Sequence, residues 1–326
     1  MNAELPTPDL SIIIPTFRAC RHLERLLDSI RIAPPRRSHE IIVVENASDD
    51  GTAAMVRAEF PGARMIAPGY NSGCTGGRNL GTVAARGRYL LFLDSDMTLD
   101  AGAADRLADF LDAHPEAGVA GFPLRSPDGT PQSSASRFPT PLTAIGVLFG
   151  MDRLPFVGSH IAWRLPPSPG PEPRETDWVS GGASMVRREA VASVGPRDER
   201  FFHYAEEMDY YYRIRRGGWR IFQVPGPGAV HFDSVSTRQA PEFFRRSAYE
   251  SLIWFHEKHG GPWRSLLVRA AVAGRLALAG AVQAVRTLDR RTPSTAPGCR
   301  QILRLFSVVV WRPKPGPVRG PAGAAP

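Results

Sequence analysis

Two carboxylates separated by one residue close an apolar run at Arg88-Tyr-Leu-Leu-Phe-Leu-Asp94-Ser95-Asp96. In extended chain, residues two apart point to the same side, so both carboxylates can reach one hard cation, which takes oxygen ligands. A second concentration of charge is Tyr204-Ala-Glu206-Glu207-Met-Asp209. Like charges this close raise one pKa, as a general base working near neutrality requires. On a helix, Glu206 and Asp209 are i,i+3 neighbours while Glu207 points elsewhere. His231 closes a short apolar stretch and can act as a metal ligand or a general acid–base group. The loop over residues 69–81 is rich in glycine, which lets backbone approach a ligand closely. It carries Arg78 near a helix start, available for phosphate. Each feature also has a plain structural reading. Asp is common in turns, acids suit helix starts, a lone His is often structural, and a glycine-rich loop is often only a loop.

The elements around these residues predict where they lie. Residues 88–93 are too apolar for an exposed loop and read as a buried strand of a parallel sheet. Ligands of open α/β sheets bind beyond the carboxyl ends of such strands, which is where Asp94 and Asp96 fall. Leu10-Ser-Ile-Ile-Ile-Pro15 reads as a first strand ended by Pro15. Leu23, Leu26, Leu27 and Ile30 recur at helical spacing. A strand follows at 40–45, a helix at 52–60 and a short strand at 64–67. The next helix is predicted from Arg78 to about Ala85, after the glycine-rich loop. A helix at 101–113 and a strand at 119–124 come next. This rhythm implies a parallel sheet with right-handed crossovers. Residues 125–175 are rich in Pro, Ser and Gly, and residues 126–136 and 165–174 read as long loops of the kind that serve as lids or substrate loops. Order resumes at Trp178, with a helix from Arg188, an acidic and aromatic helix over 201–216, and strands at 219–225 and 229–232.

Composition narrows the function classes. With 43% apolar and 22% charged residues among 326, a packed core forms. Cys20, Cys74 and Cys299 are too far apart for a zinc site or disulfide framework and point to a reducing compartment. The acidic, Pro-containing residues 1–9 carry no signal-peptide pattern and read as flexible. The net charge of +8 is uneven: from Arg264 onward eleven Lys/Arg face only Asp289, a surplus of ten that leaves the first 263 residues at −2. A body this close to neutral argues against a nucleic-acid-binding surface.

From about residue 240 the pattern turns helical. Arg269 and Arg275 interrupt residues 263–288, so no stretch approaches the roughly 20 apolar residues of a membrane span. At about 100° per residue, Arg264, Arg275 and Arg286 fall on one arc, which fits either a helix lying on an anionic membrane surface or one packed on the body with a solvated basic side. Residues 313–326 read as disordered.

Taken in order, seven segments resemble family 2 glycosyltransferases. They are Ser11-Ile-Ile-Ile-Pro-Thr-Phe, Val44-Glu-Asn-Ala-Ser-Asp-Asp-Gly-Thr52, Asn71-Ser-Gly-Cys-Thr-Gly-Gly-Arg-Asn79, Leu93-Asp-Ser-Asp96, Trp178-Val-Ser-Gly-Gly-Ala, Phe201-Phe-His-Tyr-Ala-Glu-Glu-Met-Asp209 and Gly218-Trp-Arg-Ile. The branch they are most similar to is the bacterial rhamnosyltransferase-like one. The resemblance implies an α/β fold of the GT-A type, a mostly parallel central sheet flanked by helices, with a C-terminal helical extension. It spans residues 10–238, with a nucleotide-binding half to 124 and an acceptor-binding half from 125. Residues 239–312 form the helical region. The resemblance implies inverting transfer from a nucleotide-diphosphate sugar donor to a glycan or lipid-linked acceptor, in cell-envelope or polysaccharide synthesis, with Mg²⁺ or Mn²⁺. Thr16 and Arg18 would lie beside the nucleotide, Glu45 at the base, and Asn71, Gly73 and Arg78 along the base and phosphates. Asp94 would face the donor sugar. Asp96 and His231 would bind the metal. Trp178, Gly181 and Gly182 would form the acceptor loop. Glu207, or its neighbour Glu206, would be the base.

Two positions depart from the family pattern: Glu45 and Glu207 stand where Asp is usual, each with one methylene more. That leaves room for a non-catalytic nucleotide-sugar-binding or scaffold protein of the same fold. The basic tail adds the expectation of a cytoplasmic enzyme held peripherally at the inner face of the cell membrane.

Overall fold

The computed structural model describes residues 7–167, 170–232, 241–288 and 302. The chain runs through β1 (Leu10–Thr16), α1 (Cys20–Ile32), β2 (His39–Glu45), α2 (Thr52–Glu59), β3 (Arg64–Ile66), α3 (Gly73–Ala84) and β4 (Tyr89–Leu93). It continues with β5 (Met97–Leu99), α4 (Ala103–Ala113), β6 (Ala117–Gly121), β7 (Leu124–Arg125), β8 (Pro131–Gln132), β9 (Ala135–Ser136), α5 (Pro141–Leu148) and α6 (Gly158–Ile161). Then come β10 (Arg174–Glu175), β11 (Trp178–Val179), β12 (Ala183–Arg187), α7 (Arg188–Val194), α8 (Glu206–Arg216), β13 (Arg220–Gln223), β14 (Ala229–His231) and α9 (Pro241–Leu288).

Eight strands form the central sheet in the order β10-β13-β6-β12-β4-β1-β2-β3. The expected parallel pairings hold for β1 with β2 and β4, β2 with β3, and β13 with β6. Two strands depart: β12 runs antiparallel between β4 and β6, and the edge strand β10 runs antiparallel to β13. The continuous apolar runs of β1 and β4 have the predicted cause, a core on each face. Leu10, Ile12 and Ile14 enter one cluster with Leu91 and Leu93, whereas Ile13 enters the other with Leu90 and Phe92. The four α1 residues picked out by spacing are the four that it buries.

Three boundaries differ from the sequence expectation. Pro15 does not end β1, which continues to Thr16. Thr16 faces β2, since its carbonyl accepts from the Asn46 amide at 3.0 Å, so the donor Pro15 lacks would point towards β4. The β4 pairing has already stopped at Ile13, and no ladder bond is lost. Helix α3 starts at Gly73, five residues before Arg78, so Gly73, Gly76, Gly77 and Gly81 lie inside the helix, and Gly77 and Gly81 pack against the sheet. A Cβ on Gly81 would lie 2.3 Å from Ile13 Cγ2, and one on Gly77 would lie 2.9 Å from Pro15 Cβ. Helix α8 starts only at Glu206, because Tyr204 (φ 69) and Ala205 (φ 58) take left-handed backbone just before it.

The described residues fall into two compact units. The first holds the central sheet. The second joins 139–163, which the sequence assigns to the acceptor half, to the described residues from 242 onward. Inside this second unit, α9 is broken at Gly261 (φ 79, ψ 177), a conformation that favours glycine, and at Pro262. Its core contains Ala144, Leu252, Ile253, Val268, Val272 and Leu276. The expectation that no stretch is apolar enough for a membrane span needs correction. Arg245–Val285 holds an 18-residue window of mean hydropathy 1.6, long and apolar enough by composition to cross a bilayer, of which 22% is buried. Arg269 and Arg275 lower the mean of such a window, but the Leu, Val and Ala around them outweigh the two charges. The tail over 313–326, most of 289–312 and residues 1–6 lie outside the described residues.

Candidate functional site

Strand β4 delivers Asp94 just beyond the carboxyl end of the sheet, where the Asp94 amide donates to Gly182 O at 3.1 Å. That contact joins it to the turn before β12. Gly182 tolerates no side chain, since a Cβ there would lie 2.0 Å from Asp94 Oδ2. A Cβ on Gly181 would lie 2.8 Å from both Arg78 NH1 and Glu207 Cβ. The two glycines therefore let three elements, α3, β4 and α8, converge on one turn.

Arg78 is the centre of this convergence. Its NH2 donates to Asp94 Oδ1 at 2.7 Å and its NH1 to Glu206 Oε1 at 3.0 Å. The guanidinium is 2% exposed and Glu206 5%. The sequence aims Arg78 at phosphate, whereas here its two terminal nitrogens are engaged by carboxylates inside the protein. In this geometry it links Asp94 to Glu206.

The adjacent acids of α8 have opposite electrostatics. Burial works against the charge of Glu206, but Arg78, with help from His203, overcomes it and holds the carboxyl below its ordinary value. Burial, reinforced by the charge of Glu206, pushes Glu207 well above its own. Oε2 of each is buried without a hydrogen-bond partner among the described residues. The two neighbouring carboxyls are thus pushed in opposite directions.

Asp96 and His231 form a second grouping. His231 Nε2 lies 3.6 Å from Asp96 Oδ1, and the Phe232 amide donates to Asp96 O at 2.9 Å. The pairing of β14 with β5 places Met97 opposite His231 and so brings the two side chains together. His231 Nδ1 lies 3.0 Å from Gln132 Oε1. With Nδ1 donating to that oxygen, Nε2 is left with its lone pair on the Asp96 side, the tautomer a cation needs. This donor set fits a Mg²⁺ or Mn²⁺ that is completed by phosphate oxygens and water. Among the described residues no group of three or more His, Cys, Asp or Glu forms a cage of its own. Asp94 Oδ1 is engaged by Arg78.

A third grouping lies at the carboxyl ends of β1 and β2. Thr16 pairs in register with Glu45, and its buried Oγ1 has no partner among the described residues. Glu45 Oε1 accepts from the Ser48 amide at 2.6 Å. Arg18 takes positive φ (49), its amide donates to Ser48 Oγ at 2.9 Å and its NH2 to Asp49 Oδ2 at 2.8 Å. Asn71 Oδ1 accepts from the Gly73 amide at 2.9 Å, stabilising the left-handed Gly73 (φ 72) that opens α3. A Cβ on Gly73 would meet the Phe202 ring at 2.6 Å. Trp178 pairs with Ser136, and its indole N–H donates to Arg137 O at 3.0 Å, which ties β11 to β9 and the residue after it.

Two residues of the site escape the sequence reading. His203 lies within electrostatic reach of Glu206, Asp94 and Asp96, yet burial holds its imidazole below the usual value. It stands in the same motif as the acids, and that proximity was its available signal. Gln132 lies in a segment read as loop, and nothing local marks it as the partner of His231.

Known proteins resemble this chain in sequence and in fold. Residues 11–166 match the family described as Glycosyl transferase family 2. An N-acetylglucosaminyl-diphospho-decaprenol L-rhamnosyltransferase of Mycobacterium tuberculosis is 30% identical over 83% of this chain and 92% of its own. The chain belongs to glycosyl transferase family 2. The O-antigen biosynthesis protein RfbC of Myxococcus xanthus is 30% identical over 88% of this chain, which spans 23% of RfbC. Among solved structures, GalNAc-T7 with UDP, GalNAc and Mn²⁺ superposes with TM-score 0.57 at 14% identity, over 78% of this chain and 48% of that one. TarS of S. aureus gives 0.51 at 18%, over 82% and 43%. These two fix the fold as GT-A, a central sheet flanked by helices with a C-terminal helical extension. The family-level expectation from seven ordered motifs is met.

Proposed function

We propose that this glycosyltransferase catalyses metal-dependent inverting transfer of a sugar from a nucleotide diphosphate to a hydroxyl of a lipid-linked glycan acceptor in envelope synthesis. The observation that carries the reading is the split between Glu206 and Glu207 beside Arg78. An acceptor hydroxyl becomes a nucleophile when a positioned carboxylate removes its proton. Glu207 has the raised affinity for a proton that such a base needs. Glu206 is neutralised by Arg78 and is the weaker candidate. Asp94, oriented by Arg78 and the Gly182 carbonyl, is set to accept hydrogen bonds from donor-sugar hydroxyls. Thr16, Arg18, Glu45, Asn71 and Gly73 would bound the nucleotide. Trp178 and Gly181–Gly182 would bound the acceptor.

Asp96 and His231 would hold Mg²⁺ or Mn²⁺. When bound, the ion neutralises charge growing on the leaving diphosphate. The Mycobacterium relative supports nucleotide-activated L-rhamnose as the first donor to try and a polyprenyl-diphosphate-linked sugar as the first acceptor. An acceptor of that kind supports a peripheral site of action at the cytoplasmic membrane face. The test is a screen of nucleotide sugars with Mg²⁺ and Mn²⁺ for transfer and for slow donor hydrolysis, alongside Glu207→Gln. Donor turnover lost in the variant supports the reading. Equal turnover by both proteins overturns the role of Glu207.

A further inference from the structure

Fifteen large apolar side chains are exposed among the described residues, and twelve of them belong to the second unit. Monomeric soluble proteins rarely carry apolar patches beyond a few hundred Å². The helix after Gly261 accounts for half of the twelve. Its buried positions Ser265, Val268, Val272, Leu276 and Gln283 form one stripe facing the unit's own core. On the opposite side, every exposed position from 263 to 285 except Arg264 is apolar or glycine, from Trp263 through Leu267 and Leu278 to Val285. At 1.5 Å per residue this outer stripe is about 33 Å long. A second exposed group lies in the insertion, where Phe149 is 43% and Phe156 95% exposed. The two join: Phe149 Cζ is 3.7 Å from where a Gly274 Cβ would stand, and Gly274 lies on the outer stripe.

The charges are arranged to match. At about 100° per residue, Arg264 and Arg275 border one edge of the outer stripe. Arg269 pairs with Glu257 at 3.4 Å within the unit. Arginines at the edge of an apolar face let their stems lie along it while their heads reach outward. Trp263 next to Arg264 at the helix start is the pairing favoured at a membrane–water boundary. A protein partner would place some polar side chains against polar groups of this face, and the stripe offers none.

We infer that the second unit docks in the plane of an anionic lipid bilayer through the outer face of residues 263–285 together with residues 149–157. Helix and insertion enter the headgroup boundary side by side, and Arg264 and Arg275 meet lipid phosphates. The sequence alone pointed to a basic arc on one helix, whereas the contact surface is an apolar face built from two distant segments and only edged by that arc.

The full-length protein is mixed with vesicles of phosphatidylcholine alone or with phosphatidylglycerol and sedimented. The expected result is binding that strengthens with phosphatidylglycerol. Leu267→Glu/Leu278→Glu, and separately Phe156→Glu, each lower the bound fraction by about tenfold or more. Val83→Glu, at an exposed apolar site in the first unit, leaves it unchanged. Circular dichroism and melting temperature check that the variants fold. Binding of all variants at the wild-type level, or no binding of wild type to either vesicle, overturns the inference. So does a wild-type dimer in light scattering that Phe156→Glu converts to monomer without vesicle binding, since the face would then join two copies. Every readout is independent of sugar transfer, so failure here leaves the catalytic reading standing.

Discussion

Arg78 and Glu206 face each other at 3.0 Å with almost no water around either, although 128 residues separate them in the chain. A buried ion pair adds little net stability, but removing one partner strands the other. Arg78→Met therefore leaves Glu206 charged and unpaired. The expected loss is about 3–5 kcal/mol in denaturant unfolding. Adding Glu206→Gln to that variant recovers a substantial part, because the stranded charge is gone. A double-mutant cycle measures the coupling. Additive losses would show that the pair is not the unit that holds α3 to α8.

The raised carboxyl of Glu207 gives a signed pH dependence. The folded chain keeps a proton that the unfolded chain releases near about pH 4.3. Stability linked to that proton is present at low pH and falls as pH rises from the unfolded value through the raised folded one. Glu206, held below its usual value, contributes stability above the unfolded value that is lost only as pH falls towards its depressed one. Glu207→Gln should abolish the first dependence, so the variant equals or exceeds wild type in stability at neutral pH. Activity runs the other way. Wild-type kcat/KM should rise with pH through a limb above the ordinary carboxylate range. In Glu207→Gln that limb disappears with about 10²–10⁴ of the rate. pH profiles of both proteins check this.

Glycines of α3 are predicted to act through packing, not through ligand contact. Gly81→Ala places a methyl 2.3 Å from Ile13 Cγ2, on a sheet strand that cannot move freely. It should cost about 1–3 kcal/mol through overpacking. Gly62→Ala, with nothing within 4 Å, should change stability little or raise it slightly. Thermal melts of the two variants check the contrast. Equal melting temperatures would contradict the helix–sheet contact.

What the sequence reveals and what it hides follow from separation along the chain. Runs such as 10–14 and 89–93, and the spacing of Leu23, Leu26, Leu27 and Ile30, report burial locally, so those elements are readable. The antiparallel β12 is not, because its direction is set by the turn at Gly181–Gly182, and that turn is shaped by Asp94 and Arg78 far upstream. The start of α3 is hidden for a related reason. Glycines read as loop until Ile13 and Pro15 are known to lie against them. Asp96 and His231 are legible as separate candidates, but their pairing needs β14 to lie against β5. The insertion 139–163 carries no periodic signal, since its partner is a helix more than a hundred residues later.

Gln132 and His231 supply a last test, at the site fitted for a divalent ion. His231 is an effective ligand only while Nε2 keeps its lone pair, and the 3.0 Å contact of Nδ1 with Gln132 Oε1 favours that tautomer. Removing His231 or Asp96 removes a donor outright. Removing Gln132 leaves both donors but frees the ring to turn. With a nucleoside diphosphate present, Mn²⁺ binding followed by electron paramagnetic resonance should weaken about 10–100-fold in Gln132→Ala. Asp96→Asn and His231→Ala should weaken it more, with the fold retained. Chelation by EDTA should stop donor turnover by wild type, and added Mg²⁺ or Mn²⁺ should restore it. Unchanged Mn²⁺ affinity in His231→Ala would remove this histidine from the metal site and leave Asp96 as the one protein donor of the pair.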